Sequence, residues 1–249
     1  MKVLIFKKIK FLIIKKNSEL KNLIKKNGVF IFPSGPGLAT IDNKTNYYNS
    51  LKKADYVFFD SGYFVLLLRF LKNIRVNKFS GFRFINYLFN YIQDNKNQKI
   101  FLINPDKKNS KKNLDIIKNL GVSLKNIKNY VAPIYNDDQI EDFVLLEKLH
   151  SFKPKIILIN IGGGIQEILA CYLKEKIKFK SKIICTGAAI SFFTGEQAPI
   201  KSFFDYFYLG WLVRIIFNPK IFFIRYFRAI NLFRMVYVNN ANVKNFKNN

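Results

Sequence analysis

The sequence predicts an α/β fold of the Rossmann-like kind, a mostly parallel sheet with helices on both faces, followed by a helical, membrane-binding appendage at the C-terminus. Three observations carry that prediction. Five short runs are continuously apolar: "VFIF" (29–32), "YVFF" (56–59), "KIFLIN" (99–104), "KIILINI" (155–161) and "KIICTG" (182–187). Strands buried on both faces of a parallel sheet have this character, whereas one-sided strands alternate. Helical patterns lie between and around the runs, near 42–53, 62–73, 82–95, 109–120, 138–150 and 165–177, and strand–helix alternation is the mark of an α/β sandwich. Beyond about residue 199 the strand signal is lost, and residues 201–249 carry eight Lys/Arg against one Asp. The expected division is an α/β domain over 1–198 and a basic, aromatic appendage over 199–249 that ends in a disordered tail, "NNANVKNFKNN".

Composition bounds the function. The 249 residues are 49% hydrophobic, with 27 Phe, enough for a large core. The formal charge is +26, from 42 Lys+Arg and 16 Asp+Glu, and such a field attracts nucleic acid, anionic lipid or phosphorylated substrates. Lys, Asn, Ile and Phe all have A/T-rich codons, so base composition alone can supply lysine, and the positions of the arginines carry more weight. Cys171, Cys185 and His150 are too few for a disulfide framework or a zinc site. Both cysteines sit in apolar segments and read as buried free thiols. The N-terminal "MKVLIFKKIKFLIIKK" is broken by lysines every few residues and has no cleavage-site pattern. No run approaches the ~20 apolar residues that span a bilayer. The expected location is therefore cytoplasmic, peripheral on the inner membrane face.

Ligands of open α/β sheets bind beyond the carboxyl ends of the strands, so the loops after each strand hold the candidates. "FPSGPGLAT" (32–40) follows the first run and offers Ser34 and Gly35 in a rigid turn, or a plain connection. Asp60 ends the second run, with Ser61 and Gly62 opening a helix. A carboxylate there serves as a general base or as the helix cap. In "INIGGGIQEILACYL" (159–173) the glycines match neither phosphate loop: Glu167 occupies the third glycine position of a dinucleotide fingerprint, and no Gly-Lys-Ser/Thr follows. Gly162 and Gly163 still leave N–H groups at a helix start, which favours an anion. Gln166 and Glu167 either hydrogen-bond sugar hydroxyls or simply serve the helix start. "CTGAAISFFTGEQAP" (185–199) adds Gly187 and Gln197. No Asp-x-Asp pair is present, so the metal-bridged sugar-nucleotide site has no candidate, and neither a metal nor another cofactor is expected. In the appendage, a helix from Pro219 would place Phe222, Tyr226, Ala229, Ile230 and Phe233 on one face and Arg225 and Arg228 on the other. That division suits an interfacial membrane helix, and equally a helix packed on the domain.

Taken in order, "KADYVFFDSGYFVLLLRFL", "KFSGFRF", "NIGGGIQE", "CTGAAISFFTGEQAP" and "GWLVRIIFNPKIFFIRY" resemble the WecG/TagA/CpsF glycosyltransferase family, over about residues 29–230. The resemblance implies an enzyme that moves an N-acetylmannosamine-type sugar from a UDP donor to a polyprenyl-diphosphate-linked acceptor, in wall teichoic acid, common-antigen or capsule synthesis. It assigns Asp60, at the aspartate of the family's Asp-Gly-x-Gly motif, as general base on the acceptor hydroxyl. It assigns Gln166 and Glu167 to the donor sugar and nucleotide. Trp211, Arg214 and Arg225, with Arg228 nearby, match an appendage that docks on the membrane and closes over the diphosphate. Lys78 stands at an arginine position before Gly81, and both join the substrate-binding set.

The sequence departs from the family pattern at several of these places. Ser61 and Tyr63 replace motif glycines, Gly164 replaces a proline, Gln197 replaces the arginine of Arg-Ala-Pro ahead of Ala198 and Pro199, and Gly210 replaces a glutamate before Trp211. "FPSGPG" lacks the family's Thr-x-Asn. The altered positions line the expected pocket. The expected partners are thus a UDP-sugar, a polyprenyl-linked acceptor and an anionic membrane. Nucleic acid is not among them, because no nucleic-acid-binding motif is present. The rival reading is a non-catalytic basic protein that binds nucleic acid or anionic membrane through its charge and aromatics.

Overall fold

The computed structural model describes residues 1–137, 140–187, 190, 227 and 229–246. One nine-stranded sheet organises them. Its strands are β1 (Lys2–Phe6), β2 (Ile9–Ile13), β3 (Gly28–Ile31), β4 (Tyr56–Phe58), β5 (Ile100–Asn104), β6 (Ile127–Val131), β7 (Ile156–Ile159), β8 (Lys182–Cys185) and β9 (Ala241–Asn245). The spatial order is β6-β5-β7-β8-β3-β4-β2-β1-β9. Every neighbouring pair from β6 to β2 is parallel. β1 runs antiparallel to both β2 and β9. The α/β class and the mostly parallel sheet are as the apolar runs predict.

Successive residues of the central strands point to opposite faces and build two cores. Val29, Ile31, Phe101, Ile103, Ile157 and Ile159 enter one, while Phe30, Ile100, Leu102, Ile156 and Leu158 enter the other. The first core is covered by α2 (Gly35–Leu38), α3 (Thr45–Lys53), α4 (Gly62–Lys72), α7 (Phe143–Phe152), α8 (Ile165–Lys176) and α9 (Asn231–Val238). The second is covered by α1 (Asn17–Leu23), α5 (Gly81–Asp94) and α6 (Lys107–Asn119). Phenylalanine dominates part of the second core. The Phe84 ring lies 5.5 Å from Phe30, 4.9 Å from Phe32 and 5.6 Å from Phe58. Tilted aromatic pairs of this kind add about 0.5–1.5 kcal/mol beyond area burial.

The structure departs from the sequence reading at both ends of the chain. The lysine-broken N-terminus is a hairpin, β1–β2, whose turn residues Lys7 and Lys8 have φ of 46° and 62°. Two-residue hairpin turns need positive φ and usually use Asn-Gly, and an ordinary side chain there costs about 1–2 kcal/mol. The Lys7 carbonyl accepts from Tyr48 Oη at 2.9 Å, and Lys7 Nζ pairs with Asp42 at 2.7 Å. These contacts hold the turn where no glycine marks it.

The tail expected to be disordered instead forms β9 through residue 245, in register with β1 from Lys2↔Asn245 to Phe6↔Ala241. Its side chains are mostly exposed, so backbone pairing to a long-range partner makes the strand, and no apolar period announces it. Just before it, Leu232, Met235 and Val236 of α9 are buried in the first core. Of the expected apolar stripe, read as either membrane-facing or packed on the domain, Ala229 is 3% exposed, whereas Ile230 and Phe233 remain open to solvent. β6, "IKNYV", joins β1, β2 and β9 as a fourth strand absent from the sequence reading. It lies at the sheet edge with a largely exposed pattern. Among the described residues, no helix is long and apolar enough to cross a membrane.

Candidate active site

The four strands β7, β8, β3 and β4 are consecutive in the sheet, so their carboxyl ends bring the candidate loops to one edge. After β3, Ser34 caps the short α2 by accepting from Gly37 N–H at 3.3 Å. After β4, Ser61 caps α4 by accepting from Phe64 N–H at 3.1 Å. The cap of that helix is therefore Ser61 and not Asp60. A Cβ on Gly35 would come 2.8 Å from Ser61 Oγ, so glycine is what lets these two loops touch.

Asp60 has a different partner. Its Oδ1 accepts from Gly81 N–H at 2.8 Å, at the start of α5. The loop ahead of α5 is pinned to the end of β4, since Phe79 N–H donates to the Phe59 carbonyl at 2.8 Å. Half-buried Lys78 is thereby brought to the same neighbourhood as Asp60. The structure thus gathers Asp60, Ser61, Gly62, Lys78 and Gly81 around one strand end, although 21 positions separate Asp60 from Gly81.

The glycine turn after β7 behaves as two parts. A Cβ on Gly162 or Gly163 would meet nothing within 4 Å, so no packing inside the chain demands glycine there. Gly164 is the N-cap of α8 with φ of 97°, a conformation that side chains rarely adopt. Its N–H donates to Glu167 Oε2 at 2.6 Å, and Gln166 Nε2 donates to Glu167 Oε1 at 3.0 Å. Gln166 and Glu167 are only 6% and 2% exposed. Burial pushes the Glu167 carboxyl up, the Gly164 and Gln166 donors partly oppose it, and the net value is about 6. Glu167 is therefore turned inward and caps its own helix, as in a capping box. Gln166 is less fully satisfied: among the described residues its Oε1 is buried without a hydrogen-bond partner, and a Cβ on Gly187 would come within 3.0 Å of its Nε2.

Three features of this edge escaped the sequence reading. Tyr47, on α3, is 3% exposed. Burial raises its phenol well above the ordinary value, and the charges of Glu167, Cys185 and Asp60 raise it further. The phenol thus stays neutral and sits within electrostatic reach of both carboxylates. A Cβ on Gly37 would come 2.8 Å from Tyr47 Oη. Nothing local in "TNYYNSLKK" marks that role.

The second feature is a buried polar ladder across neighbouring strand ends. Asn104 Oδ1 accepts from Asn113 Nδ2 at 2.7 Å and from Asn160 Nδ2 at 2.8 Å. Thr186 Oγ1 lies within hydrogen-bond reach of both Asn160 Oδ1 and the Ile159 carbonyl, which share its single proton. The shared ending "LIN" at 102–104 and 158–160 was the available signal. The third is Asp142. Its Oδ2 accepts from Tyr130 and Tyr135 at 2.8 and 2.7 Å while its Oδ1 caps α7 through Leu145 N–H, which ties down the loop after β6.

Cys171 and Cys185 are buried free thiols, as their apolar context predicts. His150 bonds the Leu146 carbonyl and meets the Phe179 ring edge-on, a structural role. Among the described residues no cluster of His, Cys, Asp and Glu could hold a metal ion. Gln197, Ala198, Pro199, Trp211, Arg214, Arg225 and Arg228 lie outside the described residues.

Comparison with known proteins places this architecture. The sequence model of the glycosyl transferase WecG/TagA/CpsF family matches residues 13–246, so the chain belongs to that family. It is a glycosyltransferase of cell-surface polysaccharide synthesis. The matched span takes in α9 and β9 as well as the parallel body. A comparison with curated proteins gives no match.

Proposed function

We propose that the chain moves a hexosamine-type sugar from a UDP-sugar donor to a polyprenyl-diphosphate-linked acceptor at the inner membrane face. The observation that carries this reading is the meeting of two loops on one sheet edge, Asp60 after β4 and Gln166–Glu167 after β7, with the neutral Tyr47 phenol under the influence of both carboxylates. Asp60, held by the Gly81 N–H, takes the proton of the acceptor hydroxyl. The freed oxygen attacks the anomeric carbon, the glycosidic C–O bond to the diphosphate breaks, and UDP leaves with the electron pair. Positive charge aimed at the departing diphosphate lowers that barrier. Arg214 and Arg225, the N–H groups of the open Gly162–Gly163 turn and Lys78 supply it.

Contact with the membrane is supported on the side where α9 packs against α4. Phe233 and Tyr237 of α9 are 46% and 66% exposed, and Phe70 of α4 is 76% exposed. Arg69, Lys72, Arg228 and Arg234 stand nearby in the sequence. Aromatic rings among basic side chains suit the boundary of an anionic bilayer. Replacing Phe70 and Tyr237 by Ser should reduce co-sedimentation with vesicles of phosphatidylglycerol and leave donor binding intact.

The deciding experiment is thermal melting with a panel of nucleotide sugars. A ligand at 100 times its Kd stabilises the fold by about 2.7 kcal/mol, a shift of several degrees. If no UDP-sugar or UDP itself moves the transition, and binding to polyanions instead falls steeply with salt, the donor assignment is lost to the rival reading of a basic binding protein.

A further inference from the structure

On the basis of that sugar-nucleotide reading, we propose that Glu167 is a positioning residue: it turns the Gln166 carboxamide so that its oxygen faces the ligand, and the pocket therefore reads an N–H or O–H donor on the nucleotide sugar.

A side-chain amide can be placed either way round, and only its neighbours decide which end is which. An ionised carboxylate accepts and never donates, so the end of Gln166 that lies 3.0 Å from Glu167 Oε1 is the NH2. Glu167 cannot swing away to relax that demand, because its other oxygen is held by Gly164 N–H at 2.6 Å. The Gln166 main chain is fixed as well, through its carbonyl, which accepts from Cys185 Sγ. What remains is Gln166 Oε1, buried and, among the described residues, unpartnered. It lies 3.2 Å from where a Cβ on Gly187 would stand, so glycine at 187 keeps the wall beside the carboxamide open. A buried acceptor with no partner discriminates sharply between a ligand that brings a hydrogen and one that does not. The imide N–H of uracil, the acetamido N–H of an amino sugar and a sugar hydroxyl all share this chemistry.

The test uses the full chain at pH 8, where a carboxyl with a value of about 6 is ionised. Binding of UDP, UDP-glucose and UDP-N-acetylglucosamine is measured by calorimetry for wild type, Glu167→Gln and the double variant Gln166→Glu/Glu167→Gln. In the single variant the new carboxamide gives its oxygen to Gly164 N–H and its NH2 to Gln166. Gln166 then turns round and shows a donor to the ligand, and affinity should fall at least tenfold. In the double variant the carboxylate at 166 receives that NH2 and again shows an acceptor, so most of the affinity should return. A loss common to all three probes assigns the uridine part, its uracil imide or a ribose hydroxyl. A loss for both sugars but not UDP assigns a hydroxyl of the transferred sugar, and a loss for UDP-N-acetylglucosamine alone assigns the acetamido group. Wild-type affinity in the single variant, or no recovery in the double, would overturn the proposal.

A ligand-free measurement separates this proposal from the donor assignment. The Gln166 side-chain N–H signal should exchange slowly in wild type and lose that protection in Glu167→Gln. An unchanged signal overturns the orientation whatever the donor is. The expected loss, together with no wild-type binding of any probe, leaves the orientation standing and removes the UDP-sugar reading.

Discussion

The parallel body of the sheet and its antiparallel flank are built on different terms. From β6 to β2 the strands run parallel, and the central ones are buried on both faces. In the flank, β1 still sends Leu4 and Phe6 into the first core, but β9 is added by backbone pairing, with its side chains mostly in solvent. In the body, apolar side chains carry the stability and leave the carboxyl-edge loops to hold polar groups at a cost. Glu167, Gln166 and the Asn104–Asn160 ladder are all buried there. Among the described residues the flank holds no such groups, and its outer strand β9 is itself the sheet edge, following directly on α9, whose Leu232, Met235 and Val236 pack into the first core. The difference teaches that stability and chemistry are divided by position along the strands: cores at their middles, strained or unsatisfied groups at their carboxyl ends.

The division makes predictions of decreasing size. Asp60→Asn at the carboxyl edge should lower sugar transfer by about 10²–10⁴-fold, the usual worth of a general base, with melting nearly unchanged. Normal turnover would remove Asp60 from the chemistry. In the middle of the body, Phe84→Ala should cost about 3–5 kcal/mol in urea unfolding, because Phe84 is fully buried among Phe30, Phe32 and Phe58. A cost below about 1 kcal/mol would mean that the second core is not close-packed there.

Glu167 gives an intermediate effect with a definite sign. Its folded value of about 6 lies above the ordinary 4.5, so the fold binds its proton more tightly than the unfolded chain does. The stability that this proton contributes is fully present below about pH 4.5 and is lost as pH rises through about 6. The difference amounts to roughly 2 kcal/mol. Glu167→Gln, which has nothing to ionise, should therefore gain on wild type between pH 4.5 and 7.5, read as a growing gap in melting temperature. A constant gap would show that the carboxyl is not strained by burial. The smallest effect belongs to the flank: Val243→Ala, at a half-exposed site on β9, should stay within about 0.5 kcal/mol of wild type.

Much of the body was legible. Continuous apolar runs marked β3, β4, β5, β7 and β8, because two-sided burial leaves its imprint on every residue. The intervening helices appeared close to their predicted spans, with capping residues such as Ser61, Ser80 and Asp106 at their starts. The ends were not legible. The β1–β2 turn carries Lys where hairpins carry glycine, and β9 has no apolar period, so each depends on partners distant in the chain.

The site divides in the same way. The sequence by itself determined which residue types stand just after which strands: Asp60, the Gln166–Glu167 pair and the small residues around them. Only the tertiary structure decided what each touches. It gave the α4 cap to Ser61 and Gly81 to Asp60, turned Glu167 inward, and brought Tyr47 under the charge of both carboxylates. The physical reason is range. Strand and helix patterns follow from neighbours within a few residues, whereas a hydrogen bond across 21 positions or an electrostatic contact between α3 and α8 exists only once the sheet order has been set.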